Sequence, residues 1–237
     1  MLQDAAVLID GDRIVWVGPR RDAPQVGAQH AAPLHVVEIT GVLFPGFIDC
    51  HTHAVFGAPR LDDQERRALG VDYKAIAAAG GGILQSVRDV RSRSERDLEV
   101  LTRARLMILV ANGATTIEVK SGYGLELEAE LKQLRVIRRV AGAVPATLIP
   151  TFLGAHEVPF EYRSKRADYV RLVCDEMIPV VARERLARAC DVFCEPGVFS
   201  AAESRSRLSR VRSGVMSTSL VTSGEPWKVA ARPPMTT

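Results

Sequence analysis

Cysteine is scarce in this chain. Four thiols in 237 residues, Cys50, Cys174, Cys190 and Cys194, do not make a disulfide scaffold and fit a reducing cytoplasm. Long apolar runs are missing too: none approaches the roughly 18 residues of a membrane span, so no integral membrane protein is expected. No basic segment leading into an apolar one starts at Met1, so no secretory signal is expected either. Charge of one sign is not in excess, since 31 Lys+Arg against 28 Asp+Glu leave a formal +3. What excess exists sits after residue 195, where Arg205, Arg207, Arg210, Arg212, Lys228 and Arg232 outnumber Glu203 and Glu225. No aromatic residues interleave with those arginines as single-strand binders require, so nucleic acid is not an expected partner. Histidine is absent from the whole carboxyl-terminal third: His30, His35, His51, His53 and His156 all precede residue 157.

What is present is ordinary globular material, 47% hydrophobic and 25% charged, which argues against disorder. Residues 5–17 read as a hairpin, with two apolar runs around the turn-forming Asp10-Gly11, and residues 18–35 read as linker. Val42–Asp49 reads as a buried parallel strand. A short helical pattern at 73–79 runs into Gly80-Gly81-Gly82. Ser94 with Asp97 marks the start of a long helix that Asn112-Gly113 closes. Thr115–Lys120 is the next strand. Glu126–Ala141 is a helix, with Leu127, Leu131, Leu134 and Ile137 at helical spacing. Ala146–Leu153 is a third strand, and Tyr169–Val181 is helical with a break expected at Pro179. Asp191–Cys194 is a fourth strand. Ser200 with Glu203 is a capping box for a last helix to about Arg212. Residues 213–237 hold eight Ser/Thr, three Pro and one Leu, with no Ile or Phe, and carry no periodicity.

Strand and helix thus alternate four times, which implies a parallel sheet with right-handed crossovers. The sharpest chemical feature is Asp49-Cys50-His51-Thr52-His53 at a strand's carboxyl end. Alternating side chains put His51 and His53 on one side of the strand, where two imidazoles can share a metal. Active sites of parallel β/α folds lie at that end. Gly80-Gly81-Gly82 lacks the following Lys-Ser/Thr of a phosphate loop and reads as an active-site loop. Cys190 and Cys194 read as reduced core thiols.

The run Phe44-Pro45-Gly46-Phe47-Ile48-Asp49 followed by His51 and His53 resembles the first barrel strand of the amidohydrolase superfamily. Four stretches in order resemble imidazolonepropionase more narrowly. They are His51 to Arg60, Ala79 to Ile83, Lys120-Ser121-Gly122-Tyr123-Gly124-Leu125, and Thr151-Phe152-Leu153-Gly154-Ala155-His156. The resemblance covers about residues 5–205. It implies an α/β fold: a partial TIM-like (β/α) barrel of about four β/α units over 41–212. A hairpin of an incomplete β-sandwich domain precedes it over 1–40, and an irregular tail follows over 213–237. It implies a hydrolase that opens the ring of 4-imidazolone-5-propanoate to N-formimidoyl-L-glutamate in histidine degradation. His51 and His53 would be ligands of one zinc or iron ion. Arg60 would bind substrate through a guanidinium fork suited to a carboxylate, and Tyr123 and His156 would line the pocket. Lys120 as a metal-bridging carbamate does not suit a one-metal family. Complete members are expected to be cytoplasmic homodimers.

Two departures stand out. Ala58-Pro59 replaces a more flexible Gly-containing step before Arg60. The family's later ligands and base, a His-Ala-Asp/Glu-like and an Asp-His-like motif, have no counterpart after residue 157. The expected reading is a truncated or frameshifted product that is inactive alone, its catalytic base not among the residues present. The alternatives are another cyclic-amide hydrolase of the superfamily, or a non-catalytic half barrel acting as an interaction protein.

Overall fold

A computed structural model describes residues 1–24, 35–72, 75–76, 79–195, 197–205 and 217–218. The chain divides into two compact units, Met1–Phe44 and Pro45–Thr237. In the first, β1 (Ala5–Asp10) and β2 (Arg13–Pro19) form an antiparallel hairpin. Gly11 turns it with a φ of +58°, a conformation glycine adopts without a Cβ clash. The linker expected from residue 18 starts later, because Gly18 and Pro19 still pair with Ala6 and Ala5. Residues 25–34, with His30, lie outside the described residues.

The second unit is a parallel sheet wound in one direction. Strands β3 (Phe47–Thr52), β4 (Ala114–Lys120), β5 (Thr147–Ala155) and β6 (Ala189–Val192) neighbour one another in chain order. A sheet whose order never reverses is the opening stretch of a barrel, not a doubly wound sheet. The architecture is a partial TIM-like barrel. Within the segment expected to be irregular, the backbone of Ser217–Thr218 (β7) pairs in parallel with Ala189 and Cys190 of β6. The helix expected to reach Arg212 is described only to residue 205, and the rest of the tail apart from β7 lies outside the described residues.

The helices pack as their patterns require. Among them are α1 (Leu61–Ala68), α2 (Ile83–Ser92), α3 (Glu95–Ala111) and α4 (Leu127–Ala141). Leu131, Leu134, Ile137 and Val140 of α4 are buried with Leu98 and Leu106 of α3 and with Ile117, Val119 and Phe152 of the sheet. Ser94 caps α3 by accepting the Asp97 N–H at 3.1 Å, and Gly113 follows Asn112 with a φ of +93°. Ser200 and Glu203 form the expected capping box: the Glu203 carboxylate accepts the Ser200 N–H at 2.7 Å, and Ser200 Oγ accepts the Glu203 N–H at 3.3 Å. The short pattern at 73–79 is described only at residues 75, 76 and 79, where Ile76 and Ala79 donate to Asp72 and Ala75.

Three local expectations are corrected. The first strand begins at Phe47, not Val42, and it is not buried: Phe47 is 61% and Ile48 71% exposed. Among the described residues β3 pairs only with β4, so its apolar side chains stand at an edge. Pro179 does not break its helix. Helix continues from Arg166 to Arg183, with a wider π turn at Leu172–Met177 and only Ile178 between that turn and Pro179. That wider turn accommodates the missing N–H and the ring's clash with the preceding turn. The fourth strand lies at Ala189–Val192, two residues earlier than expected.

Candidate metal and substrate site

The strand register assembles the site. Thr52 of β3 pairs with Val119 of β4 and Lys120 of β4 with Thr151 of β5, so β3 and β4 end together while β5 runs on to Ala155, and His53, Tyr123 and His156 all follow the carboxyl ends of neighbouring strands. His51 and His53 lie with ring centroids 5.5 Å apart. The His53 ring stacks on His156 at 4.8 Å with a 15° interplanar angle. Tyr123 closes the group, 5.1 Å from His53 and 5.4 Å from His156. Four of the five residues expected to form the site thus share one cluster. Phe193, which the sequence did not point to, meets His156 edge-on at 5.9 Å.

Arg60 stands apart from the rings. Its guanidinium pairs with Asp63 at 3.9 Å, although its charge still reaches His156. Asp63 is buried and also accepts the Gly82 N–H at 2.8 Å, which ties the triple-glycine loop to the Arg60 turn. The loop from Ala54 to Pro59 is held from behind. Arg105 donates to the carbonyls of Ala54 at 3.0 Å, Gly57 at 2.5 Å and Phe56, and its guanidinium lies over the Phe56 ring. Asp89 accepts the Ala58 N–H at 2.7 Å. A Cβ on Gly57 would fall 1.5 Å from that Asp89 oxygen, so any other residue there would displace the Asp89 carboxylate.

The Ser121–Leu125 loop winds around two side chains of α4. The Glu130 carboxylate accepts N–H groups from Gly122 at 3.1 Å, Gly124 at 2.9 Å and Leu125 at 2.8 Å. Gln133 Oε1 accepts the Tyr123 N–H at 3.1 Å, and its amide nitrogen donates to the Val55 carbonyl at 2.9 Å. Gly122 has a φ of +107°, and a Cβ on Gly124 would meet the α4 backbone at 2.4 Å. The two glycines beside Tyr123 are therefore required by geometry. Glu130, Gln133, Asp89 and Arg105 are not among the site residues expected from the sequence. A signal existed for two of them: Glu130 and Gln133 are polar residues on the buried stripe that Leu134 and Ile137 continue.

Burial holds both inner imidazoles neutral. Desolvation, reinforced by His156, His51 and Lys120, pushes His53 down to about 2. Desolvation likewise pushes His156 down to about 4, with His51, Arg60 and Lys120 adding to it. Lys120 is 1% exposed and pairs with Glu118 and Asp191, both at 2.9 Å. An amine so engaged is a structural cation and does not present itself for carbamate formation. Cys190 is buried, as expected of a core thiol, whereas Cys194 is only half-buried, and neither is in a disulfide.

A neutral imidazole is the form that binds metal, and His53 Nδ1 is a buried ring nitrogen with no hydrogen-bond partner. Among the described residues, however, no group of three or more His, Cys, Asp or Glu is arranged to hold an ion. The donor set fits two ligands of a metal site, not a complete one.

No protein-family model matches the chain. Curated proteins do. The imidazolonepropionase of Symbiobacterium thermophilum is 49% identical over 219 residues, covering 89% of this chain and 51% of that protein. Those of Erwinia tasmaniensis and Pseudomonas entomophila are each 46% identical, covering 84% and 86% of this chain and 48% and 50% of theirs. The chain spans about half the length of the curated relatives it matches. By sequence, over that half, it belongs to the imidazolonepropionase family.

Proposed function

We propose that this chain carries the ligand-binding half of an imidazolonepropionase site, for the hydrolytic ring opening of 4-imidazolone-5-propanoate to N-formimidoyl-L-glutamate. The observation that supports it is the cluster of His51, His53, Tyr123 and His156, contributed by three strand ends far apart in sequence. In this reading His51 and His53 hold one zinc or iron ion. When bound, the ion supplies Lewis-acid polarisation at the ring. Arg60 receives the propionate carboxylate, which would replace its long contact with Asp63. Tyr123 and His156 flank the ring and exclude water from one face. The hairpin unit is read as part of a small β domain over residues 1–40, and the protein as cytoplasmic. Two imidazoles without a third ligand or a positioned base bind but do not turn over.

Calorimetric titration of the whole chain with zinc alone tests the reading. Binding is expected, weak, and lost in both His51→Ala and His53→Ala. Imidazolepropionate, a stable ring-and-carboxylate probe, is expected to bind the parent and to lose about tenfold or more in affinity in Arg60→Ala, for one charged hydrogen-bonded contact. Unchanged zinc binding in both histidine variants overturns the metal assignment. Ring opening at an ordinary enzymatic rate overturns the half-site reading.

A further inference from the structure

Glu130 is fully buried, yet among the described residues no cationic side chain pairs with it. Its hydrogen-bond partners are three backbone amides and the Ser121 hydroxyl. Three N–H groups within four residues converge on one carboxylate, and the remaining one goes to Gln133, one turn further along α4. Backbone N–H groups wound into such a concavity form an anion-binding nest, and here the anion is a side chain of the same protein. Burial raises the carboxyl's pKa, while those amides and the Ser121 hydroxyl pull it back down.

The other side of the Gly122 peptide reaches the site. His156 Nδ1 lies 2.9 Å from the Gly122 carbonyl oxygen. A carbonyl can only accept, so Nδ1 carries the proton and Nε2 keeps the lone pair. Gly122 is thus held at both ends, its N–H by Glu130 and its C=O by His156.

We infer that Glu130 is a positioning residue: by winding Gly122–Leu125 around its carboxylate, it fixes the Tyr123 ring and, through the Gly122 carbonyl, the Nδ1–H tautomer of His156. His156 is then a neutral hydrogen-bond acceptor through Nε2, suited to a ring N–H of the ligand and not to a ring carbonyl. Gln133 extends the device by joining the Tyr123 amide to the Val55 carbonyl, two residues after His53. The inference rests on the reading of Tyr123 and His156 as ligand-facing groups.

The test is Glu130→Gln, read in the whole chain without metal or ligand. A glutamine would keep its single oxygen on the paired Gly124 and Leu125 amides. It would then turn its NH₂ against the Gly122 N–H, donor against donor, and the Gly122 peptide is the one that must move. Long-range ¹H–¹⁵N spectra of histidine-labelled protein report the tautomer directly. The parent is expected to show His156 as Nδ1–H alone, and the variant to lose that single-tautomer signature. A variant that melts earlier but keeps the pure Nδ1–H pattern shows Glu130 to be merely structural and overturns the inference. Should the variant not fold, the parent decides it. Slow amide exchange at Gly122–Leu125 together with the Nδ1–H pattern upholds the inference, and fast exchange or an Nε2–H ring overturns it. Because no ligand is present, failure of zinc or imidazolepropionate binding bears on the proposed function and leaves this result standing.

Discussion

Lys120 is a buried cation paired with two carboxylates, and its removal is a severe perturbation of the second unit. Its ammonium lies in the sheet between Glu118 of the same strand and Asp191 of β6, both at 2.9 Å. Thr151 Oγ1, on the intervening β5, donates to the same Glu118 oxygen at 2.6 Å. The three charges and the Thr151 hydroxyl therefore link three strands. Side-chain exposure is 1% for Lys120, 1% for Asp191 and 13% for Glu118. Lys120→Met preserves most of the volume and removes the cation, leaving two largely buried carboxylates without the cation they share. Deleting one partner of a buried pair costs about 3–5 kcal/mol, mainly because the remaining charge is stranded. That is a large fraction of the 5–15 kcal/mol by which a typical domain is stable. Equilibrium urea unfolding at two protein concentrations is the assay. With an m-value near 2 kcal/mol/M, a loss of 4 kcal/mol moves the midpoint down by about 2 M. The triple change Lys120→Met, Glu118→Gln, Asp191→Asn removes the stranded charges and is expected to recover most of that loss. A midpoint shift under about 0.5 M for Lys120→Met alone would refute the argument, as would a triple variant weaker than the single one.

The exposed edge of β3 predicts self-association. Phe47 and Ile48 lie on a strand whose outer side is unpaired among the described residues, and long apolar edges template further strands. Light scattering is expected to show concentration-dependent association that Ile48→Lys reduces; a monomeric parent at all concentrations contradicts this. Acid is expected to release the capping box at Ser200. The Arg166 guanidinium, helped by the Ser200 N–H and hydroxyl, holds Glu203 down to about 2. A depressed carboxyl contributes stability that is present above its ordinary pKa of 4.5 and disappears as pH falls toward 2. The protection factor of the Glu203 amide, its exchange rate corrected for the intrinsic pH dependence, should therefore fall over that interval and stay constant above pH 5; a fall beginning above pH 5 would assign the protection to another group.

How much of this was legible in the sequence depended on where the information lies. The α4 helix was legible because its burial is one-sided, and Leu131, Leu134 and Ile137 write that side into the chain at helical spacing. His51 and His53 were legible because strand alternation alone brings them to one side. Tyr123 and His156 followed only from family resemblance, since their meeting depends on the register that sets Lys120 against Thr151. The apolar composition of the first strand suggests burial that the fold does not provide, because composition does not say whether a strand is central or at an edge. The π turn ahead of Pro179 was not foreseen because proline signals a disruption but not how a helix absorbs it. The supports of the site were the least legible. What Glu130 and Gln133 hold is a row of backbone N–H groups, which every residue but proline carries. A polar residue on an apolar stripe marks that something must satisfy it. It does not say that the partner is a loop upstream whose two glycines exist to let the backbone reach it.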